Sequence, residues 1–268
     1  LRQLQGQIDS DWSSVLANLE AVRSHLLNRK AMFANVTLDA DNWQLVQPHL
    51  ANFIDAIPAK PVNLHQWQLA GGAVNEGLSI PAQVNYVGKG ANLYKLGYHY
   101  HGSINVINNF VRTGYLWDKV RVQGGAYGAF CKFKKQSGIY TFLSYRDPNL
   151  QNTLDVYDGT AHFLRTVEID EAELTRNIIG AMGDWDSYEL PDAKGYSSLS
   201  RYLLGTSHED LQKSRNEILD TTVKNFRDFA DVLAAVSQQG RVVVMGSGDA
   251  LEKANGANGN KMVITKVM

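Results

Sequence analysis

The same order of patterns occurs near both ends of this 268-residue chain, and it limits what the chain can fold into. Residues 10–57 run from an amphipathic helix through a basic turn (Asn28, Arg29, Lys30) and an apolar strand to a capped helix. Residues 221–255 repeat that order, with the turn at 238–241. In the first helix Trp12, Val15, Leu16, Leu19, Val22 and Leu26 recur at intervals of three and four, with Asp9 or Ser10 as the cap. In the second, Phe226, Phe229, Val232, Leu233 and Val236 form one stripe. Such an echo is left by a duplication whose first copy lacks its beginning, and it also arises where helix–strand–helix units simply recur in a mixed α/β protein. The first case fits a piece of a longer protein.

Between these ends the periodicity gives further elements. The run 31–38 (AMFANVTL) predicts a strand, and Asp39 caps a helix carrying Trp43, Val46, Leu50, Phe53 and Ile54, in which Pro48 is a candidate kink. Residues 58–75, with two prolines at the start and Gly71 and Gly72 near the end, predict a linker. The expected domains are therefore 1–57 and 76–268. The stretch LSIPAQVNYVGKG predicts a strand that is an edge or bulged at Pro81, with YVGKGAN as a hairpin turn. Residues 101–121 predict a helix despite Gly114, and GAYGAFCKF with GIYTFLSYRD predicts a hairpin closed by KKQS. Helices follow at 148–166, at 170–190 behind Asp170, and from a Ser207–Asp210 capping box. RVVVMG predicts a short buried strand, SGDALEKANG a short helix, and KMVITKVM a closing strand.

Composition excludes several classes of function. With 26 basic and 27 acidic side chains the net charge is −1, so no overall field attracts nucleic acid or anionic lipid. The apolar content of 44% suffices for a core, yet no apolar run approaches the ~20 residues of a membrane span. The single Cys131 cannot form an internal disulfide or a thiolate zinc cluster, and its apolar strand setting predicts inert packing. The start LRQLQGQIDSD has neither an initiator Met nor a signal-peptide pattern, so the chain is expected to begin inside a longer protein.

The seven histidines show no His-Glu-x-x-His or inverted spacing; His99 and His101 could share an ion, but no third ligand is near them in sequence. Gly246 and Gly248 follow a strand as a dinucleotide fingerprint would, but Leu251 stands where the third glycine belongs. What remains is VRVQGGAYGAF, with Arg121 and Tyr127 on either side of Gly124 and Gly125. A permanent cation and a neutral phenol can both donate to a carbonyl oxygen that becomes negative in a tetrahedral intermediate, and glycines would let a substrate backbone approach. Spacing alone equally describes a helix-end arginine followed by a half-buried strand tyrosine, which is the commoner arrangement.

Taken with DPNLQNTLDVYDGTAHFL and GDALEKAN…MVITKVM, that stretch resembles the C-terminal part of the presequence proteases, the oligopeptide-degrading branch of the pitrilysin-like zinc metallopeptidases. The likeness covers essentially the whole chain: about 1–57 resembles the end of a third domain, and 76–268 a complete fourth. It implies an α+β fold, a mainly antiparallel sheet with helices on one face, in a protein whose two halves close around a peptide. It implies an ATP-independent zinc endopeptidase of the mitochondrial matrix or chloroplast stroma that degrades presequences and other short unstructured peptides. Zinc, activated water and the glutamate base would belong to the N-terminal half, which is absent here, so no metal ligand is expected in this chain and no activity from it alone. Arg121 and Tyr127 would hold the substrate backbone and stabilise the oxyanion, with Gly124 and Gly125 as substrate-binding positions. Peptides and the N-terminal half would be the partners, without nucleic acid or membrane. The alternative is a non-catalytic scaffold or peptide-binding subunit of the same family.

Overall fold

The computed structural model describes residues 2–68, 74–257 and 261–267, and the chain divides into two units, residues up to 70 with 189–203, and 71–188 with 204–268. In the first unit, helices α1 (Arg2–Ser10) and α2 (Trp12–Leu26) are followed by a 3₁₀ turn (Arg29–Ala31) and α3 (Ala40–Ala56). Asp11, rather than Asp9 or Ser10, caps α2, accepting the Ser14 N–H, because residues 9 and 10 already lie inside α1. Asp39 caps α3 as expected, and that helix runs through Pro48 to Ala56. The strand expected at 31–38 does not form: the segment is extended at Met32 but finds no ladder partner among the described residues. An apolar run supplies a face to bury; it does not supply the second strand its backbone must pair with. Asn28 organises the basic turn by accepting the Lys60 and Lys30 N–H groups and donating to the Lys60 carbonyl. The stripe of α2 stays open, with Trp12 53% and Leu26 68% exposed, and among the described residues of this unit only Val15 and Asn28 are buried.

In the second unit, β1 (Glu76–Ser79), β2 (Tyr86–Asn92), β3 (Gly128–Lys134), β4 (Ile139–Tyr145), β5 (Arg241–Gly246) and β6 (Val263–Lys266) form one sheet in the order β3-β4-β2-β5-β1-β6. The pairs β3–β4, β4–β2 and β2–β5 are antiparallel, while β5–β1 and β1–β6 are parallel. The mainly antiparallel α+β fold is therefore present. The single strand expected around Pro81 is split into β1 and β2, and β1 sits inside the sheet rather than at its edge. YVGKGAN is β2 itself, not a hairpin turn. Its glycines serve proximity: a Cβ on Gly90 would stand 2.5 Å from the Tyr140 carbonyl of β4.

Helix α4 (Ser103–Phe110) continues without a break into a π-helix (Val111–Val122). There follow α5 (Gln151–Thr166), α6 (Glu171–Trp185), α7 (Pro191–Leu204), which groups with the first unit, α8 (His208–Leu219), α9 (Val223–Gln239) and α10 (Gly248–Ala257). Asp170 caps α6, and Ser207 with Asp210 forms the capping box of α8, as their spacing predicts. The core lies on one face of the sheet, where Val87, Tyr140, Phe142, Val242 and Val244 meet Ile104, Phe110, Tyr157, Phe226 and Phe229 of the helices. Each such burial contributes ~1.5–3 kcal/mol. The opposite face carries Phe130, Leu143, Tyr145 and Val243, each more than two-fifths exposed.

Candidate functional site

The π-helix sets the position of Arg121. The Thr113 hydroxyl donates to the Asn109 carbonyl, the acceptor that an α-helix would assign to the Thr113 N–H, and Gly114 follows it. At the far end the Gln123 N–H reaches back five residues to Asp118. Tyr115 anchors the segment, stacking on Phe163 of α5 and donating to the Val156 carbonyl at 3.0 Å, over the gap left by Gly159.

Gly124 and Gly125 close this helix. The Ala126 N–H donates to the Val120 carbonyl at 3.1 Å and the Gly125 N–H to the Arg121 carbonyl at 2.9 Å, a nested pair reaching back six and four residues, each one residue longer than in the Schellman ending of an α-helix, as the π-helix requires. Gly125 has φ +78, and a Cβ on Gly124 would stand 2.5 Å from the Val120 carbonyl. The turn is held from the other side by the loop after β4. Asn149 donates to the Gly124 carbonyl, and its N–H goes to Asp147, a fully buried carboxylate that also accepts from Thr153.

The turn delivers Tyr127 to the start of β3, its N–H donating to the Tyr145 carbonyl at 3.1 Å. The Arg121 guanidinium lies 4.0 Å over the Trp117 ring and 6.0 Å from the Tyr127 ring. The Tyr127 ring in turn meets Tyr145 edge-on at 5.8 Å, and Tyr145 meets Tyr86 at 5.4 Å. Tyr127 is 67% exposed, and among the described residues neither its hydroxyl nor the Arg121 guanidinium has a hydrogen-bond or ion-pair partner. The two side chains are thus neighbours at one corner of the open sheet face, Tyr127 exposed and Arg121 half-buried. Trp117, Tyr145 and Arg146 belong to the same corner and were not singled out by sequence; Trp117 at four residues before Arg121 was the one available signal.

Other candidates have different settings. No group of three His, Cys, Asp or Glu side chains converges among the described residues, so they do not fit a zinc ion. The His101 ring is held by Ser103, at 2.8 Å from its hydroxyl. At Gly246 the Asn85 side chain occupies the space a Cβ would take, which accounts for the glycine by packing. Cys131 is buried, and desolvation pushes its thiol up to about 12. A cavity of about 330 Å³ between α4, β3 and α6, lined by Asn108, Arg112 and Asp184 among others, includes neither Arg121 nor Tyr127.

The model of the PreP C-terminal domain matches residues 75–248. The chain belongs to the presequence protease family. It is 45% identical over its whole length to presequence protease 1, chloroplastic/mitochondrial, of Arabidopsis thaliana, covering 25% of that protein. It is 31% identical over 90% of its length to protein HypA of Clostridium perfringens, again covering 25%. The chain therefore spans about a quarter of the length of these relatives. Among solved structures, pitrilysin superposes with a TM-score of 0.57 at 12% identity over 85% of this chain and 25% of that one. The peptidase M16 inactive domain from Pseudomonas fluorescens gives 0.52 at 15% identity over 76% of this chain and 50% of that one. These two likenesses establish a pitrilysin-like fold.

Proposed function

We propose that this presequence protease chain is the part of a zinc endopeptidase that grips the substrate backbone and stabilises the oxyanion, while the metal, water and general base come from the remainder of the protein. The observation that carries this reading is the Arg121–Tyr127 corner: two adjacent donors, both free among the described residues, with the guanidinium braced on Trp117. A donor already oriented needs little reorganisation when charge develops on the carbonyl oxygen, and this preorganisation is the source of oxyanion stabilisation. The open sheet face beside the corner is apolar enough to seat an extended peptide. Gly124 and Gly125, which close the helix, also leave the turn without side chains where that backbone would pass.

In this reading residues 1–57 are the end of a third domain and 76–268 the fourth, joined by 58–75. The exposed α2 stripe is the surface that the rest of the third domain would cover. The substrates are presequences and other short unstructured peptides, degraded without ATP inside a closed chamber of a mitochondrial or plastid enzyme. The names of the Arabidopsis and other relatives support that setting.

A double-mutant cycle in the complete protease tests the assignment. Tyr127→Phe removes one hydroxyl and is expected to lower kcat roughly ten- to a thousandfold with zinc content and fold intact. Arg121→Lys keeps the charge but loses the planar fork, lowering kcat/KM with part of the loss in peptide binding. The two losses should fall short of additivity, since both donors serve one backbone. Full activity of Tyr127→Phe would leave the tyrosine a structural residue and favour a non-catalytic, peptide-binding role for the corner.

A further inference from the structure

Arg146 is the one non-glycine residue with positive φ among the described residues, at +49. A left-handed backbone is unfavourable for an arginine, whose Cβ crowds the following carbonyl oxygen, and it persists only where the surroundings dictate it. Here they do. Immediately after it, Asn85 and Asp147 exchange both backbone hydrogen bonds, at 2.7 and 2.8 Å, and the buried Asp147 carboxylate is tied to Thr153 and Asn149. Immediately before it, Tyr145 ends β4. The carbonyls of both Tyr145 and Arg146 accept from the Tyr127 N–H, at 3.1 and 3.4 Å.

The strained turn fixes where the side chain begins. The Arg146 guanidinium lies 5.8 Å from the Tyr145 ring, Tyr145 lies 5.8 Å from Tyr127, and Tyr127 lies 6.0 Å from the Arg121 guanidinium. In order of contact the corner is therefore a row of neighbours, cation–tyrosine–tyrosine–cation, with a guanidinium as the first and last member. Arg146 is exposed and makes no ion pair among the described residues; its neighbour Asp147 is fully buried and already committed. An extended peptide advances ~3.3 Å per residue, so one that passes from Arg121 to Arg146 reaches the second guanidinium within about five residues.

We infer that Arg146 is a substrate-binding residue that takes a carboxylate of the bound peptide, an inference that rests on the proposed function. The planar fork suits a carboxylate bidentately, whereas a backbone carbonyl is already served by Arg121 and Tyr127. Two sources supply that chemistry: the C-terminal carboxylate of a short peptide and an acidic side chain. The first would make the row favour short peptides whose end falls at Arg146.

The test uses the 268-residue chain and a short peptide labelled at its N-terminus, prepared as the free acid, as the C-terminal amide, and as the amide with one internal aspartate. Fluorescence anisotropy at low salt is expected to show the free acid bound about two- to fivefold tighter than the amide, the range of an exposed ion pair, with the gain shrinking as salt is added. The same gain in the aspartate peptide alone would identify the side chain as the source. Arg146→Asn removes the cation and places a residue tolerant of this backbone there, so its Tm should hold or rise while the free acid falls to the affinity of the amide. Arg146→Lys should retain part of the preference. No binding of any peptide, no preference in the wild type, or a preference that survives Arg146→Asn overturns the assignment. Turnover by the complete protease is read separately. A carboxylate preference without Tyr127-dependent turnover keeps Arg146 and sinks the peptidase reading, and Tyr127-dependent turnover without the preference does the reverse.

Discussion

Asn149 donates its side-chain N–H to the Gly124 carbonyl at 2.6 Å, so the loop after β4 physically holds the end of the helix that carries Arg121. Replacing it by alanine leaves that carbonyl without its partner in a half-buried turn, and a loss of about 1 kcal/mol is expected. Thermal unfolding of the chain reads the stability. Peptide binding should weaken in parallel, because the turn sets the direction of both donors. A variant with unchanged Tm and affinity would show that the bond is not what fixes the turn.

Gly125 predicts a backbone effect of its own. With φ +78, alanine there should cost about 1–2 kcal/mol although its Cβ meets only Pro148, at 3.5 Å, and Gly125→Asn should recover part of the loss. Urea midpoints of the three proteins decide it; equal values for Gly and Ala would mean the turn relaxes to negative φ.

Lys89 is 3% exposed on the core face of β2, bonded to Asp158 at 2.6 Å and to the Ser237 carbonyl at 2.9 Å. Removing its counterion by Asp158→Asn should cost about 3–5 kcal/mol, because a buried cation is left unpaired. Lys89→Met removes the charge with the need for it and should cost far less, since Asp158 is a third exposed and can hydrate. Comparable losses for the two variants would contradict this ordering.

Alkaline pH should destabilise the fold. The Cys131 thiol is raised by burial from 9.0 to about 12, and Tyr98, Tyr140 and Tyr157 are raised by the same desolvation. Above pH ~9 the unfolded chain loses protons that the native state keeps, so stability is complete below that pH and falls as pH climbs toward 12. Denaturation between pH 8 and 11 should show this decline, beginning later in Cys131→Ala. The native thiol should also resist alkylation at pH 8 and react once the chain is unfolded; rapid native labelling would refute the burial.

The sequence displayed local features well. The stripe of Phe226, Phe229 and Leu233, the caps at Asp39, Asp170 and Ser207, and the hairpin of β3 and β4 depend on residues a few positions apart, and all are present. The Arg121–Tyr127 pair was visible for the same reason. Features that depend on remote partners were hidden. The run 31–38 has strand chemistry but no partner, and β1 pairs with β5 and β6 from 165 or more positions away, a relation no window of sequence contains. The left-handed turn at Arg146 is imposed by Asn85, 61 positions earlier, so YRDP reads as an ordinary loop.

The helix at Val111–Val122 takes about one more residue per turn than the α-helix that leads into it. Its length therefore acts as an angular setting for whatever follows. Deleting one exposed residue such as Thr113, or inserting one, would swing the downstream turn by ~80° and carry Arg121 off Trp117 and away from Tyr127, without altering a single chemical group at the corner. The aim of this pair is thus written in residue count as much as in residue type, and insertions or deletions in this helix should be far less forgiving than substitutions on its outer face.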